Sequence, residues 1–133
     1  MLTGAAGTGK SSLSKEAGRR ISPLHHVDFG QILLNRKIAQ GMAGLTYEKL
    51  RAQSATLITP EDVKATDAEL IESLPKLREN THVLIDSHAV TRESYGFRIT
   101  HYSFEDLKRI ALDAVVVTYC DPTELVERHK RNP

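Results

Sequence analysis

Gly4-Ala5-Ala6-Gly7-Thr8-Gly9-Lys10-Ser11, near the start of the chain, carries the densest chemistry in the sequence. It satisfies the pattern G-x-x-x-x-G-K-S/T without a mismatch. The glycines Gly4, Gly7 and Gly9 allow backbone angles and close approaches that a Cβ would block. With Ala5, Ala6 and Thr8 they turn successive N–H groups inward, a nest for phosphate oxygens. A helix opening near Lys10 adds its positive end. Lys10 supplies a mobile cation for the β- and γ-phosphates, the Ser11 hydroxyl can ligate Mg²⁺, and Ser12 stands close to the α-phosphate. A plain glycine-rich turn before a capped helix would not need a lysine and a serine at those two places. The rival dinucleotide fingerprint fails, because counting from Gly7 and Gly9 puts its third glycine on Ser12.

A second chemical element is Asp86, which ends the apolar run Val83-Leu84-Ile85. An acid at the carboxyl end of a parallel strand stands where α/β sheets bind ligands, and it can hold Mg²⁺ through water. The alternative is an ordinary helix or turn cap. His88 follows two residues later, on the same side of an extended chain, able to order the acid or a water. A structural histidine is the other reading. No guanine-reading N-K-x-D element is present; Asn35-Arg36-Lys37-Ile38 lacks the acid. Ser87, not a glutamate, follows Asp86, and no D-x-x-G switch follows the strand. Small-molecule kinases remain.

These residues need a scaffold, and the pattern around them alternates strand and helix. Leu13, Ala17 and Ile21 recur at helical spacing and predict a helix from Lys10 to about Ile21. His25 to Val27 reads as a short strand, with the adjacent His25 and His26 on opposite faces. Phe29 to Ala39 has Ile32, Leu33 and Ile38 at helical spacing and reads as a helix ended by Gly41 and Gly44. Thr46 caps a short helix through Leu50 and Ala55. Thr59-Pro60-Glu61-Asp62 is a strong helix start, with Val63, Leu70, Ile71 and Leu74 on one face and Pro75 ending or bending it. His82 to Asp86 and Ala114 to Tyr119 read as buried strands. Ser103 and Asp121 open two further helices. Buried strands alternating with helices predict a parallel sheet covered on both faces, with three visible strands.

The chain has 133 residues, the size of one domain, with no internal repeat. A formal charge of +1 gives no global attraction to DNA or anionic membrane. No apolar run reaches the roughly 18 residues of a membrane span, and no basic start followed by an apolar core marks a secretory signal. Cys120, the single cysteine, excludes an internal disulfide and a cysteine-based zinc site, and makes a reducing cytosol the simplest home.

Taken together, the chain resembles the nucleoside-monophosphate kinases, closest to archaeal-type adenylate kinases and the related nuclear adenylate kinase/ATPase family. Besides the glycine-rich loop, the resemblance rests on Val27-Asp28-Phe29-Gly30, which is similar to the turn opening the monophosphate-binding helix. It also rests on Leu84-Ile85-Asp86-Ser87-His88, similar to a strand ending in D-x-H, and on Asp121-Pro122-Thr123-Glu124-Leu125-Val126-Glu127-Arg128, similar to the helix leading into the lid. The resemblance implies an α/β P-loop NTPase three-layer sandwich of kinase type with a five-stranded parallel sheet, here incomplete at both ends. The missing pieces would be most of the first strand, the rest of the lid, the last strand and the final helix. It implies one P-loop kinase-like domain over residues 1–133, with an acceptor-binding helical arm over 28–77 and the start of a lid over 125–133.

The implied activity is transfer of the ATP γ-phosphoryl, with Mg²⁺ on Ser11 and Asp86, to a nucleoside monophosphate such as AMP. Lys10, Asp86, Arg92 and Arg128 are the catalytic candidates, with Arg131 also at the lid. Asp28, Gly30, Arg51, His88 and Arg92 are the acceptor-site candidates, with Arg36 behind them. Asp28 also suits the cap of the following helix, and Arg92 also suits a solvated loop. The chain departs from ordinary adenylate kinases after Asp86, where Ser87-His88-Ala89-Val90-Thr91-Arg92 replaces Gly-Phe-Pro-Arg. That leaves the acceptor open. The alternatives are an ATPase switch or assembly factor with a protein or RNA partner, and a small-molecule kinase with a non-nucleotide acceptor.

Overall fold

A computed structural model describes residues 1–88, 90–93, 96–99 and 102–131, with the backbone alone described for 90–93, 97–99 and 129. Four short strands form one parallel sheet: β1 (Leu2–Gly4), β2 (Leu24–Asp28), β3 (His82–Asp86) and β6 (Val116–Thr118). Their order is β2-β3-β1-β6, so β1 lies inside the sheet with β3 directly beside it. The register pairs Asp86 with Leu2 on one side and with Asp28 on the other. The carboxyl ends of β1, β2 and β3 therefore meet at one edge.

The helices are α1 (Lys10–Arg20), α2 (Phe29–Ala39), α3 (Tyr47–Ala52), α4 (Ser54–Leu57), α5 (Pro60–Arg78), α6 (Phe104–Ile110) and α7 (Pro122–Arg131). Their starts follow local chemistry. Asp28 caps α2 through the Gln31 N–H, and Thr46 caps α3 through the Lys49 N–H. Full capping boxes open α5 (Thr59 with Asp62) and α6 (Ser103 with Asp106), each satisfying two helix-end donors at once. The main core lies under α5, where Leu70, Ile71 and Leu74 pack with Val27, Ile85 and Ile110. A second cluster joins α2 and α3 through Leu33, Leu34 and Leu50. The opposite side of the sheet carries α1.

Several expectations need correction. The sheet has four parallel strands, not three, because Leu2–Gly4 also forms a strand, paired with both β3 and β6. β6 is not buried: Val115, Val116 and Val117 are 55%, 47% and 61% exposed, since this strand is an outer edge that no described helix covers. The face of α1 turned to the sheet holds Lys10 and Ser14, not Leu13 and Ile21, because the glycine loop fixes the rotation of the helix. In α2, Ile32 packs against the main core and Leu33 is buried, but Leu34 and Lys37 are buried too, while Ile38 faces solvent. Pro75 does not end α5, which runs on to Arg78. One missing N–H is tolerated where Leu70, Ile71 and Leu74 hold the helix to the core.

An antiparallel hairpin of β4 (Val90–Glu93) and β5 (Gly96–Ile99) was not foreseen. Gly96, at φ +131°, opens its second strand, and that glycine between two β-prone runs was the available signal.

Candidate active site

The loop between β1 and α1 is built for an anion. Gly9 stands at the helix N-cap in the left-handed region, at φ +95°, and no side chain caps the helix. No acid occupies its first turn. The starts of α2, α3, α5 and α6 are capped by a side chain; this one leaves its N–H donors facing the loop. Gly4 is required by packing as well as by its φ of +142°: a Cβ there would lie 2.3 Å from the Thr118 carbonyl oxygen. Thr8 ties the loop to the end of β6 through a 2.7 Å hydroxyl contact with Thr118, and also donates to the Ala5 carbonyl at 2.8 Å.

Lys10 is 6% exposed, and its ammonium donates to the Gly4 and Ala5 carbonyls, both at 2.8 Å. It thus lies along the inner wall of the loop. Desolvation lowers its proton affinity, the Asp86 charge raises it, and Arg51 lowers it further. Ser11 and Ser12 are exposed at the start of α1.

Asp86 faces this lysine from β3. Its Oδ1 is buried and makes no hydrogen bond among the described residues, while Oδ2 lies 3.8 Å from His26 Nε2. A buried carboxylate oxygen left unpaired is costly, and such atoms mark places where an ion or water completes the site. His88 sits above, with Nδ1 3.3 Å from the Gly4 carbonyl oxygen. Desolvation and then the Lys10 charge hold the His88 imidazole below its ordinary value, against Asp86 and the Gly4 carbonyl.

The acceptor side gathers around Asp28. Its Oδ1 accepts from the Gln31 N–H at 3.2 Å and from the Tyr47 hydroxyl at 3.3 Å. Burial, then the charge of Asp28 and the bond to it, push the Tyr47 hydroxyl up to about 12, with Arg51 opposing. Gly30 lies against the same ring, and a Cβ there would stand 2.5 Å from the Tyr47 oxygen. Asp28 is therefore a helix cap and a tyrosine partner at once. Arg51 is exposed on α3, one turn after Tyr47 and on the same face of the helix.

From the other end, α7 brings Arg128 to the loop. Its guanidinium donates to the Gly7 carbonyl at 2.9 Å and pairs with Glu124 one turn back. Arg131 pairs with Glu127 at 3.3 Å and so turns along its own helix. Arg36 is spent on Glu69 at 2.8 Å, away from the loop. Arg92 is on β4, opposite Phe97, and its side chain lies outside the described residues. So do Pro133 and its neighbour at the expected start of the lid.

The site thus brings together Lys10, Asp86, His88, Asp28, Arg51 and Arg128. It adds Tyr47, which sequence reasoning missed because nothing local marks a tyrosine whose partner lies 19 residues earlier. No group of three or more His, Cys, Asp or Glu among the described residues forms a protein cage for a metal. No described helix is long and apolar enough to cross a membrane.

Comparison with known proteins agrees with this architecture. The family described as AAA domain matches residues 3–132. No curated protein matches the chain. Among 28 matching solved chains is one from the "Structure of the Pnkp1/Rnl/Hen1 RNA repair complex", 22% identical, with a TM-score of 0.49. The match covers 98% of this chain and 36% of that one, so the chain spans about a third of its length. With a P-loop α/β fold of the kinase-like kind, and with nearly its whole length matched, the chain belongs to the AAA domain family.

Proposed function

We propose that this domain binds Mg²⁺–ATP and transfers its γ-phosphoryl group to a nucleoside monophosphate, AMP being the acceptor to test first. The observation that carries the reading is the uncapped start of α1 behind the glycine loop, with Lys10 and Asp86 converging on it. Loop N–H groups and the helix end would hold the β-phosphate. Lys10 would leave the Gly4 and Ala5 carbonyls for the outer phosphates, exchanging two neutral acceptors for a charged one. Arg128, already on the Gly7 carbonyl, approaches the donor from the lid side.

The residues present fit a magnesium ion. The orphaned Asp86 Oδ1 and the Ser11 hydroxyl are hard oxygen donors, and a sparse protein shell suits an ion that keeps waters and phosphate oxygens as ligands. When bound, Mg²⁺ neutralises charge on the transferred group. Phosphoryl transfer then asks little covalent chemistry of the protein; it asks for in-line placement and fixed positive charge. Arg51 on α3 would take the acceptor phosphate, and Arg92 is its partner in this proposal. The helices over 28–77 form the acceptor arm, and 125–133 open the lid.

The test is ADP formation with Mg²⁺ and ATP, with and without AMP, for the wild type and Lys10→Ala. ADP that rises only with AMP, and falls about 100-fold or more in the variant, supports the kinase. AMP-independent ADP, equally dependent on Lys10, would replace it with an ATPase switch.

A further inference from the structure

A short helix can present a charged residue accurately only if something fixes its rotation. α3 has six residues, too few to hold its own conformation in isolation. Three contacts hold it. Thr46 caps its start, Leu50 at 2% exposure is buried against Leu33 and Leu34, and the Tyr47 hydroxyl reaches back to Asp28. Tyr47 and Arg51 are four residues apart, on one face of the helix. Leu50 lies on the flank of that face and Tyr47 packs against the same apolar cluster, so burial holds the helix in place and the hydroxyl bond ties it to the end of β2.

The strand ends are the phosphate-transfer site. Asp28 is in register with Asp86, and Asp86 with Leu2 at the root of the glycine loop. A bond from α3 to Asp28 therefore measures the distance from α3 to Asp86. Gly30 keeps that distance short, since any side chain there would drive the tyrosine ring away. Both Asp28 contacts, to Gln31 N–H and to Tyr47, come from the protein itself.

We propose that Tyr47 is a positioning residue that sets Arg51 over the transfer site, and that Asp28 and Gly30 serve acceptor binding through it and not by touching the acceptor. This rests on the kinase reading above.

The experiment uses the intact protein and AMP as the probe, read by calorimetry with a non-hydrolysable ATP analogue bound and by steady-state kinetics. Tyr47→Phe, Asp28→Ala and the double variant are compared with the wild type. Each single variant should weaken AMP binding about tenfold, the loss expected for one hydrogen bond to a charged group. KM for AMP should rise in step while KM for ATP stays unchanged, a split that a merely structural role would not produce. The double variant should be no worse than either single one, because both remove the same contact. Gly30→Ala should copy Tyr47→Phe, and Arg51→Ala should make Tyr47→Phe silent. If AMP binds the wild type and Tyr47→Phe leaves its affinity unchanged, or the two losses add, the positioning role is overturned and the kinase reading stands. If the wild type binds no AMP and forms no acceptor-dependent ADP, both are overturned.

Discussion

Lys10 shows how far a single residue can be read in advance. Its type and its distance from three glycines were enough to place it on a phosphate loop, because a nest needs glycines and an outer-phosphate cation needs a mobile stem. Its resting partners were not legible: the Gly4 and Ala5 carbonyls take its protons only because the loop curls around it. The glycines separate in the same way. Gly4 and Gly9 look alike in the motif, yet a Cβ at Gly4 meets the Thr118 carbonyl at 2.3 Å, and one at Gly9 meets nothing within 4 Å. Gly4→Ala should therefore cost stability by about 3 kcal/mol, from strain and overlap together. Gly9→Ala should cost about 1 kcal/mol, from backbone strain alone. Urea denaturation of the two variants measures the difference, and equal losses would mean that β1 and β6 separate easily at that point. Tyr47 marks the opposite limit, since a tyrosine in a short polar helix carries no signal until its partner is known.

Among the elements, α5 was the most legible and α2 the least. Thr59-Pro60-Glu61-Asp62 specifies a helix start by hydrogen bonds that close within four residues, so sequence alone carries it. The inward face of α2 depends on what lies opposite, and there Asp62 selects Lys37 over Ile38. The two side chains are 7% and 6% exposed and form a buried ion pair. Burial pushes the Asp62 carboxyl up, but Lys37, the Thr59 backbone and side chain, and Gln40 together bring it down to about 2. A carboxyl depressed from its ordinary value stabilises the fold above about pH 4 and loses that contribution as pH falls toward 2. Lys37→Ala would strand a buried charge and should destabilise by about 3–5 kcal/mol at neutral pH. Lys37→Met with Asp62→Leu should recover most of that loss, because a buried pair replaced by apolar volume is close to neutral. Thermal unfolding of the variants at pH 7 decides it. No recovery would mean that the Asp62 capping box outweighs the ion pair.

Across the whole molecule, the parallel sheet was legible from its alternating elements, while its edges were not. β6 has the composition of a buried strand, and only the strand order reveals that it lies outermost. The same long-range placement brings together acids that sequence keeps apart. Asp67 on α5 faces Asp106 from α6, near Tyr102, and its Oδ1 is buried without a hydrogen bond among the described residues. Burial first, and then the Asp106 charge, push the Asp67 carboxyl up from 3.8 to about 6. A carboxyl raised in the folded state binds its proton more tightly there than when unfolded. Its stabilising contribution is complete below about pH 4 and is lost as pH rises through 6. His88 has the opposite sign. Its affinity for a proton is lowered by folding, so its contribution is present above the ordinary histidine value and fades as pH falls. The two slopes oppose each other where they overlap, below about pH 6. Asp67→Asn removes one of them. The variant should gain about 1 kcal/mol over the wild type at pH 7.5, after allowing for solvent screening of a half-buried group. At pH 4 that advantage should vanish, since the wild-type carboxyl is then neutral as well. Urea denaturation at the two pH values checks both statements, and an advantage that does not change with pH would place the effect in packing between α5 and α6 and not in the charge of Asp67.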